Sequence, residues 1–198
     1  LQALASAKRL GAVTHAVDTR AAAREQAASL GAKIIDIDIP DEMAQGEGGY
    51  AKALSHEMLK KERDMIAPHL EKMDIVFLSA LVPGKMAPVI ITRDMMKKMK
   101  PGSVIVDISI DQGGNCEATV PGEVADEGMV HVVGIKNIPG MLPASSTWMF
   151  SQNMYNLVRY LVKDNAISLD MSDEIVRGIL TTKGGEIVHE GAREAMGL

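Results

Sequence analysis

The sequence holds a single cysteine, Cys116, in 198 residues. One thiol cannot build an internal disulfide framework or a cysteine-rich zinc site, and a reducing, cytosolic setting fits it. Its five histidines show no i,i+4 pair and no cysteine partner, so no metal site is expected. Aromatic residues are scarce at 3%. No apolar run approaches the roughly 20 residues that span a bilayer. Positive charge is short as well: 21 Lys and Arg stand against 26 Asp and Glu, a net charge of −5. Nucleic acid wants a basic face and is a poor partner for such a chain. What is present, 46% hydrophobic and 24% charged residues, is the composition of an ordinary globular protein. The length suffices for one domain with a core, or one domain plus part of a second.

The order of elements is repetitive. Leu1–Leu10 reads as a helix stopped by Gly11, and Ala12–Val17 as a short strand ending at Asp18. Ala21–Leu30 is an alanine-rich helix stopped by Gly31, followed by a second strand over Lys33–Ile39. Asp41–Tyr50 is a loop rich in acids and glycine, and Ala51–Met73 is helical with a break expected near Pro68. Asp74–Ser79, Ser103–Ile108 and Val130–Ile135 are the third, fourth and fifth strands. Thr92 can cap a helix to Met99, which Pro101-Gly102 terminates. Strands alternating with helices predict βαβ units, and continuous apolar strands predict a parallel sheet covered on both faces. The fold expected is α/β with a doubly wound parallel sheet. After Ile135 the pattern changes. Ser145 or Ser146 can cap a long helix to about Val162, which carries four of the six aromatics (Trp148, Phe150, Tyr155 and Tyr160). Core packing is the plainer reading of that helix; docking against another domain or a second subunit is the sharper one. Gly178–Val188 reads as a hairpin around Lys183-Gly184-Gly185. The expected domains are 1–143 and 144–198.

Ligands of doubly wound sheets gather at the carboxyl ends of the strands. Asp18 stands at such an end, where an acidic residue hydrogen-bonds ribose hydroxyls and disfavours a 2′-phosphate. Arg20 is close enough in sequence to hold a 2′-phosphate, so the residues alone leave NAD and NADP both open. Ser79-Ala80-Leu81-Val82-Pro83-Gly84 follows the third strand, with small residues that let a flat cofactor approach the backbone. Asp111-Gln112-Gly113-Gly114-Asn115-Cys116-Glu117 follows the fourth and offers a pocket wall, with no base beside Cys116 to make it a nucleophile. Asn137, after the fifth strand, can present an amide to the same crevice. Gly46-Glu47-Gly48-Gly49-Tyr50 is either a solvated linker or a flap that lays Tyr50 over a ligand.

These residues carry a resemblance. LQALASAKRLGA with VDTR, then GGYAKALSHEMLKK, SALVPGKMAPVIIT, MKPGSVIVDIS, GGNCE, NIPG and TTKGGEIVH resemble, in order, the NAD(H)-binding domain of proton-translocating NAD(P) transhydrogenase alpha subunits. That family is itself similar to alanine dehydrogenase. The resemblance implies a Rossmann-type domain in which Asp18, Thr19 and Arg20 hold the adenosine end of NAD(H). It implies that Gly49 and Tyr50 belong to a closing loop and that Leu81 lies beside the nicotinamide half; Ala80 and Asn137, placed after strands, are expected to line the cofactor with it. At Glu62 the family usually has Gln. It further implies NADP(H) on a partner, direct hydride transfer between the two nicotinamides, and no protein nucleophile. The implied partners are an NADP(H)-binding beta subunit, a membrane domain and a second copy of the chain. The implied location is peripheral, on the cytoplasmic side of the inner membrane.

Two other readings stand beside it. Asp111-Gln112-Gly113-Gly114 and NIPGMLPASST look like alanine dehydrogenase, and a non-catalytic NAD-binding fragment is the third possibility. The helix at Leu1 has no cap before it. The expectation is therefore that the glycine turn, the first strand and a substrate-side domain precede Leu1. A gap, or some other segment filling it, should then separate the strands that end at Asp18 and Ser79.

Overall fold

The structure, a computed structural model, describes residues 1–40, 43, 53–82 and 85–198. It divides into two compact units, Leu1–Ile138 and Pro139–Leu198.

In the first unit, helix α1 (Gln2–Arg9) leads to strand β1 (His15–Ala16), and α2 (Ala21–Ser29) leads to β2 (Lys33–Ile34). Gly11 and Gly31 follow the two helices with φ of 90° and 81°, the left-handed turn that side-chain-bearing residues resist. β1 and β2 pair in parallel, His15 opposite Lys33. Helix α3 (His56–Leu70), β3 (Ile75–Leu78), α4 (Arg93–Met96) and β4 (Val104–Asp107) follow, then the hairpin of β5 (Val124–Glu127) and β6 (Val130–Val133). The order β3-β4-β6-β5 makes a second sheet, with β3, β4 and β6 parallel and β5 antiparallel at its edge. Among the described residues β1 pairs with β2 and β3 with β4, and no ladder joins the two sheets. The α/β, largely parallel architecture agrees with the sequence pattern.

The register puts Val76, Ile105 and Val132 on one face of the larger sheet. Ile105 and Val132 are completely buried and pack in one cluster with Ile66 and Leu70 of α3 and with Met95, Met96 and Met99. The opposite face departs from the expectation. Ile75 and Phe77 are 68% and 46% exposed, so helices do not cover both faces equally.

Several boundaries also differ from those expected of the sequence. Helix α3 starts at His56 rather than near Ala51, because the Ser55 hydroxyl accepts from the Met58 amide at 3.3 Å and caps it. It runs through Pro68 without ending there. Pro68 lies in the last turn, so it forfeits the one bond its N–H would have made to the Asp64 carbonyl, with only two helical residues beyond it. Thr92 does cap α4, accepting from the Met95 amide. The chain then tightens, the Lys98 and Met99 amides bonding only three residues back, so the α-helix stops before Met99. Replacing Ser55 by Ala should lower stability by about 1 kcal/mol, the usual worth of a serine cap, while Ser55→Asn should be close to neutral. Urea unfolding of the two variants checks this, and equal curves for Ala and the unsubstituted protein would remove the cap from the account.

Helix α5 (Ile138–Met141) spans the division between the units, and α6 (Pro143–Leu161) follows in the second. The first residue of α6 is Pro143, whose fixed φ suits a first turn. The Ser146 hydroxyl donates to the Pro139 carbonyl at 2.8 Å, so neither Ser145 nor Ser146 is the cap. No residue of α6 is buried, and Trp148, Phe150 and Tyr155 are all exposed. Core packing, the plainer expectation for this helix, is therefore not what this chain shows. Two hairpins follow, β7 (Val162–Lys163) with β8 (Ala166–Ile167) and β9 (Thr182–Lys183) with β10 (Glu186–Ile187). The second turns at Gly184-Gly185 as expected; the first turns at Asp164-Asn165, both with positive φ. α7 (Glu174–Ile179) lies between the hairpins, and α8 (Glu190–Met196) ends the chain.

Candidate functional site

Asp18 lies just past β1, where the strand's ladder has ended. Its carboxylate accepts from the Arg20 amide at 2.9 Å, from Arg20 Nε at 3.0 Å and from Nη2 at 2.9 Å. The guanidinium thus lies as a fork along the carboxylate, and the carboxylate holds Arg20 still more firmly protonated than usual. Arg24, one turn into α2, donates to the Asp18 and Thr19 carbonyls at 3.1 and 2.7 Å and pins the turn. Both Asp18 and Arg20 keep about a third of their side chains in solvent.

Glu62 comes to the same region from α3. It is 5% exposed. Burial pushes its carboxyl up to about 7, the Arg63 cation next to it pulls it down, and the negative charge of Asp18 adds to the rise. Asp18 and Arg20 form one ion pair, Thr19 lies within its turn, and Glu62 lies within reach of the Asp18 charge.

The loop after β3 is organised differently. The Ala80 N–H donates to Asn115 Oδ1 at 2.9 Å, and Asn115 Nδ2 donates to the Ala80 carbonyl at 2.9 Å. Leu81 follows, 42% exposed. Pro83 and Gly84 lie outside the described residues, as do Gly49, Tyr50 and the rest of the expected flap over Asp41–Tyr50 apart from Met43. Asn137 follows β6 with φ of 52° and an exposed side chain.

Residues 111–117, expected as a pocket wall, divide in the structure. Asp111 and Gln112 are exposed, while Asn115 and Cys116 are buried. They are drawn in by Asp107, the last residue of β4. Its Oδ2 accepts from the Asn115 and Cys116 amides at 2.7 and 3.1 Å and from the Thr119 hydroxyl at 2.9 Å, and its Oδ1 from the Ser109 amide at 3.0 Å. Gly114 passes so close that a Cβ there would come within 2.9 Å of Asp107 Oδ2. Burial raises the Cys116 thiol above its ordinary range, and its sulfur lies 3.6 Å from that of Met96. It is a packed thiol, not an activated one. Neither Asp107 nor the role of Asn115 is among the sequence-based expectations. A carboxylate closing the apolar run SVIVDI is the available signal, since a buried acid there needs several donors.

Residues 1–190 match the family described as alanine dehydrogenase/PNT, C-terminal domain. An NAD(P) transhydrogenase subunit alpha protein of Rhodospirillum rubrum is 44% identical over 194 residues, covering 96% of this chain and 50% of that protein. A solved transhydrogenase structure from Sinorhizobium meliloti superposes with a TM-score of 0.74 at 41% identity, covering 94% of this chain and 49% of that one. Alanine dehydrogenase 1 of Staphylococcus aureus is more distant, 32% identical over 178 residues, with 83% and 47% covered. The chain spans about half the length of the curated relatives it matches. The parallel sheet, the acid past β1 and the match along nearly the whole chain lead to one conclusion: the chain belongs to the alanine dehydrogenase/PNT C-terminal domain family.

Proposed function

We propose that this chain is the NAD(H)-binding part of an NAD(P) transhydrogenase alpha subunit. One observation carries the cofactor: the Asp18 carboxylate, fixed by Arg20 at the end of a parallel strand. A carboxylate offers about four acceptor positions, and Arg20 occupies three of them. An acceptor remains for a ribose hydroxyl, and a small shift of Arg20 opens another. A 2′-phosphate would meet the negative charge directly, so the donor and acceptor set fits NAD(H) better than NADP(H). The half-exposed Leu81 offers apolar surface at the end of β3, which suits a flat ring.

In this reading the bound dinucleotide supplies hydride chemistry at its nicotinamide. The chain contributes orientation and electrostatics. Asp18, Thr19 and Arg20 fix the adenosine half, with Glu62 beside them; Ala80, Leu81 and Asn137 border the other half, and Gly49 and Tyr50 close over it. The buried, protonated Cys116 takes no part. NADP(H) sits on a beta subunit, and the hydride passes directly between the nicotinamides, coupled to proton movement in a membrane domain. Residues 144–198 belong to a second domain of the subunit, which works as a dimer. Among the described residues no helix is long and apolar enough to cross a membrane, and the reading places this part at the cytoplasmic face of the inner membrane.

The similarity to alanine dehydrogenase favours a second reading, NAD-dependent oxidation of alanine. A third is NAD binding without catalysis. The protein expressed from its whole gene, assembled with its membrane partners, separates them. Reduction of an NAD analogue by NADPH is the expected result. Reduction of NAD by alanine instead would establish the second reading, and NADH binding without either activity the third.

A further inference from the structure

Asn115 is completely buried, and each of its polar atoms is engaged. Its Oδ1 and Nδ2 exchange two hydrogen bonds with the main chain of Ala80, and Nδ2 also donates to the Pro88 carbonyl at 2.8 Å. Its own amide donates to Asp107, and its own carbonyl accepts from the Ile90 and Ile91 amides at 2.8 and 3.0 Å. Exchange of both N–H and C=O with one residue is what a neighbouring strand does in a ladder. Here a side chain does it, beyond the point where the ladder stops. The last bond between β3 and the chain following β4 runs from the Ile108 amide to the Leu78 carbonyl. Asn115 therefore carries the grip of the sheet two residues further, to Ala80, while Leu81 beside it remains half exposed.

A buried amide with no task beyond stability could sit anywhere in the core. This one is spent on the carboxyl end of a parallel strand, the place where sheets of this kind take their ligands. It is held from behind by Asp107, a carboxylate whose four described donors all come from the loop that carries Asn115. The loop after β4 thus sets the loop after β3 through one amide.

We propose that Asn115 is a positioning residue of the dinucleotide site, fixing the Ala80–Leu81 peptide where it meets bound NAD(H). This rests on the NAD(H)-binding reading above. Asn115→Asp keeps the shape but turns the Nδ2 donor into an oxygen facing the Ala80 and Pro88 carbonyls. Asn115→Ala removes the link altogether.

The test uses the protein expressed from its whole gene and compares both variants with Val130→Ala, a core truncation at the opposite, amino end of β6. NADH affinity is read from the fluorescence of NADH itself, and stability from urea unfolding. Both Asn115 variants should bind NADH about tenfold more weakly, and KM for NADH should rise about tenfold with kcat within about twofold. Val130→Ala should bind NADH normally even where its loss of stability is as large. Unchanged affinity in the Asn115 variants, or an equal loss in Val130→Ala, would overturn the proposal. If neither Asn115 variant folds, the unsubstituted protein still decides. Its Ala80 amide should be protected from hydrogen exchange before NADH is added, and exchange at the rate of an open loop would overturn the proposal. Failure of the unsubstituted protein to bind NADH would overturn the cofactor reading itself.

Discussion

Replacing Asp18 by Ala should weaken NADH binding and narrow the gap between NADH and NADPH. Loss of hydrogen bonds to a charged group removes about 1–3 kcal/mol, which is roughly 5- to 150-fold in affinity. The structure adds a second consequence. In the native protein Arg20 is committed to Asp18 through its amide, Nε and Nη2. Without the carboxylate that guanidinium is free to meet a 2′-phosphate, so NADPH should lose far less affinity than NADH, or gain some. Asp18→Ala with Arg20→Ala should abolish that relief. Calorimetric titration of the three proteins with both cofactors is the measurement. A single variant that keeps its NADH affinity would remove Asp18 from the site.

The largest stability change is expected at Glu62. Burial raises its carboxyl from 4.5 to about 7, Arg63 opposes the rise, and Asp18 adds to it. Between those two values the native state holds a proton that the unfolded chain has released. Stability therefore falls as pH rises through that window, and the penalty is complete above about 7. The size of the shift corresponds to about 3 kcal/mol. Glu62→Gln keeps the shape without the ionisation. It should stabilise the protein by about 2–3 kcal/mol at about pH 8 and by almost nothing at about pH 5. Urea unfolding at the two pH values reads this directly. A gain of equal size at both would mean that the carboxyl is not forced into its neutral form, and that the interior is wetter than the burial of Glu62 indicates.

Much of the fold is legible in local order. Apolar runs mark the strands, and Gly11, Gly31 and Gly184-Gly185 mark stops and a turn because each needs a backbone that favours glycine. Asp18 is visible because its place at a strand end is a matter of local order too. β5 is not visible. Val124–Glu127 alternates and carries two acids, since an antiparallel edge has little need of apolar residues on its outer side. The Asp164-Asn165 turn lacks glycine and so gives a weaker mark. The starts of α3 and α6 go to Ser55 and Pro143 through competition among nearby caps, which three-dimensional packing decides. Within the site, the bonds from Asn115 to Ala80 join residues 35 apart, and no period or spacing encodes such a link. Glu62 sits in the run Lys60-Lys61-Glu62-Arg63, which reads as a solvated helix face. Only the fold reveals that its third member turns inward.

Cys116 has one further use, which follows from its setting. Its sulfur is enclosed beside Met96, and its amide is tied to Asp107. A thiol reagent can reach it only in moments when the segment carrying Asn115 lifts away from β4. As the chain's lone sulfhydryl, it gives a labelling signal without interference from other thiols. The reaction rate in excess reagent then becomes a stopwatch for breathing at that spot. A ligand that clamps the segment should slow the stopwatch, and slow it at reagent levels where unfolding of the whole domain is too rare to contribute.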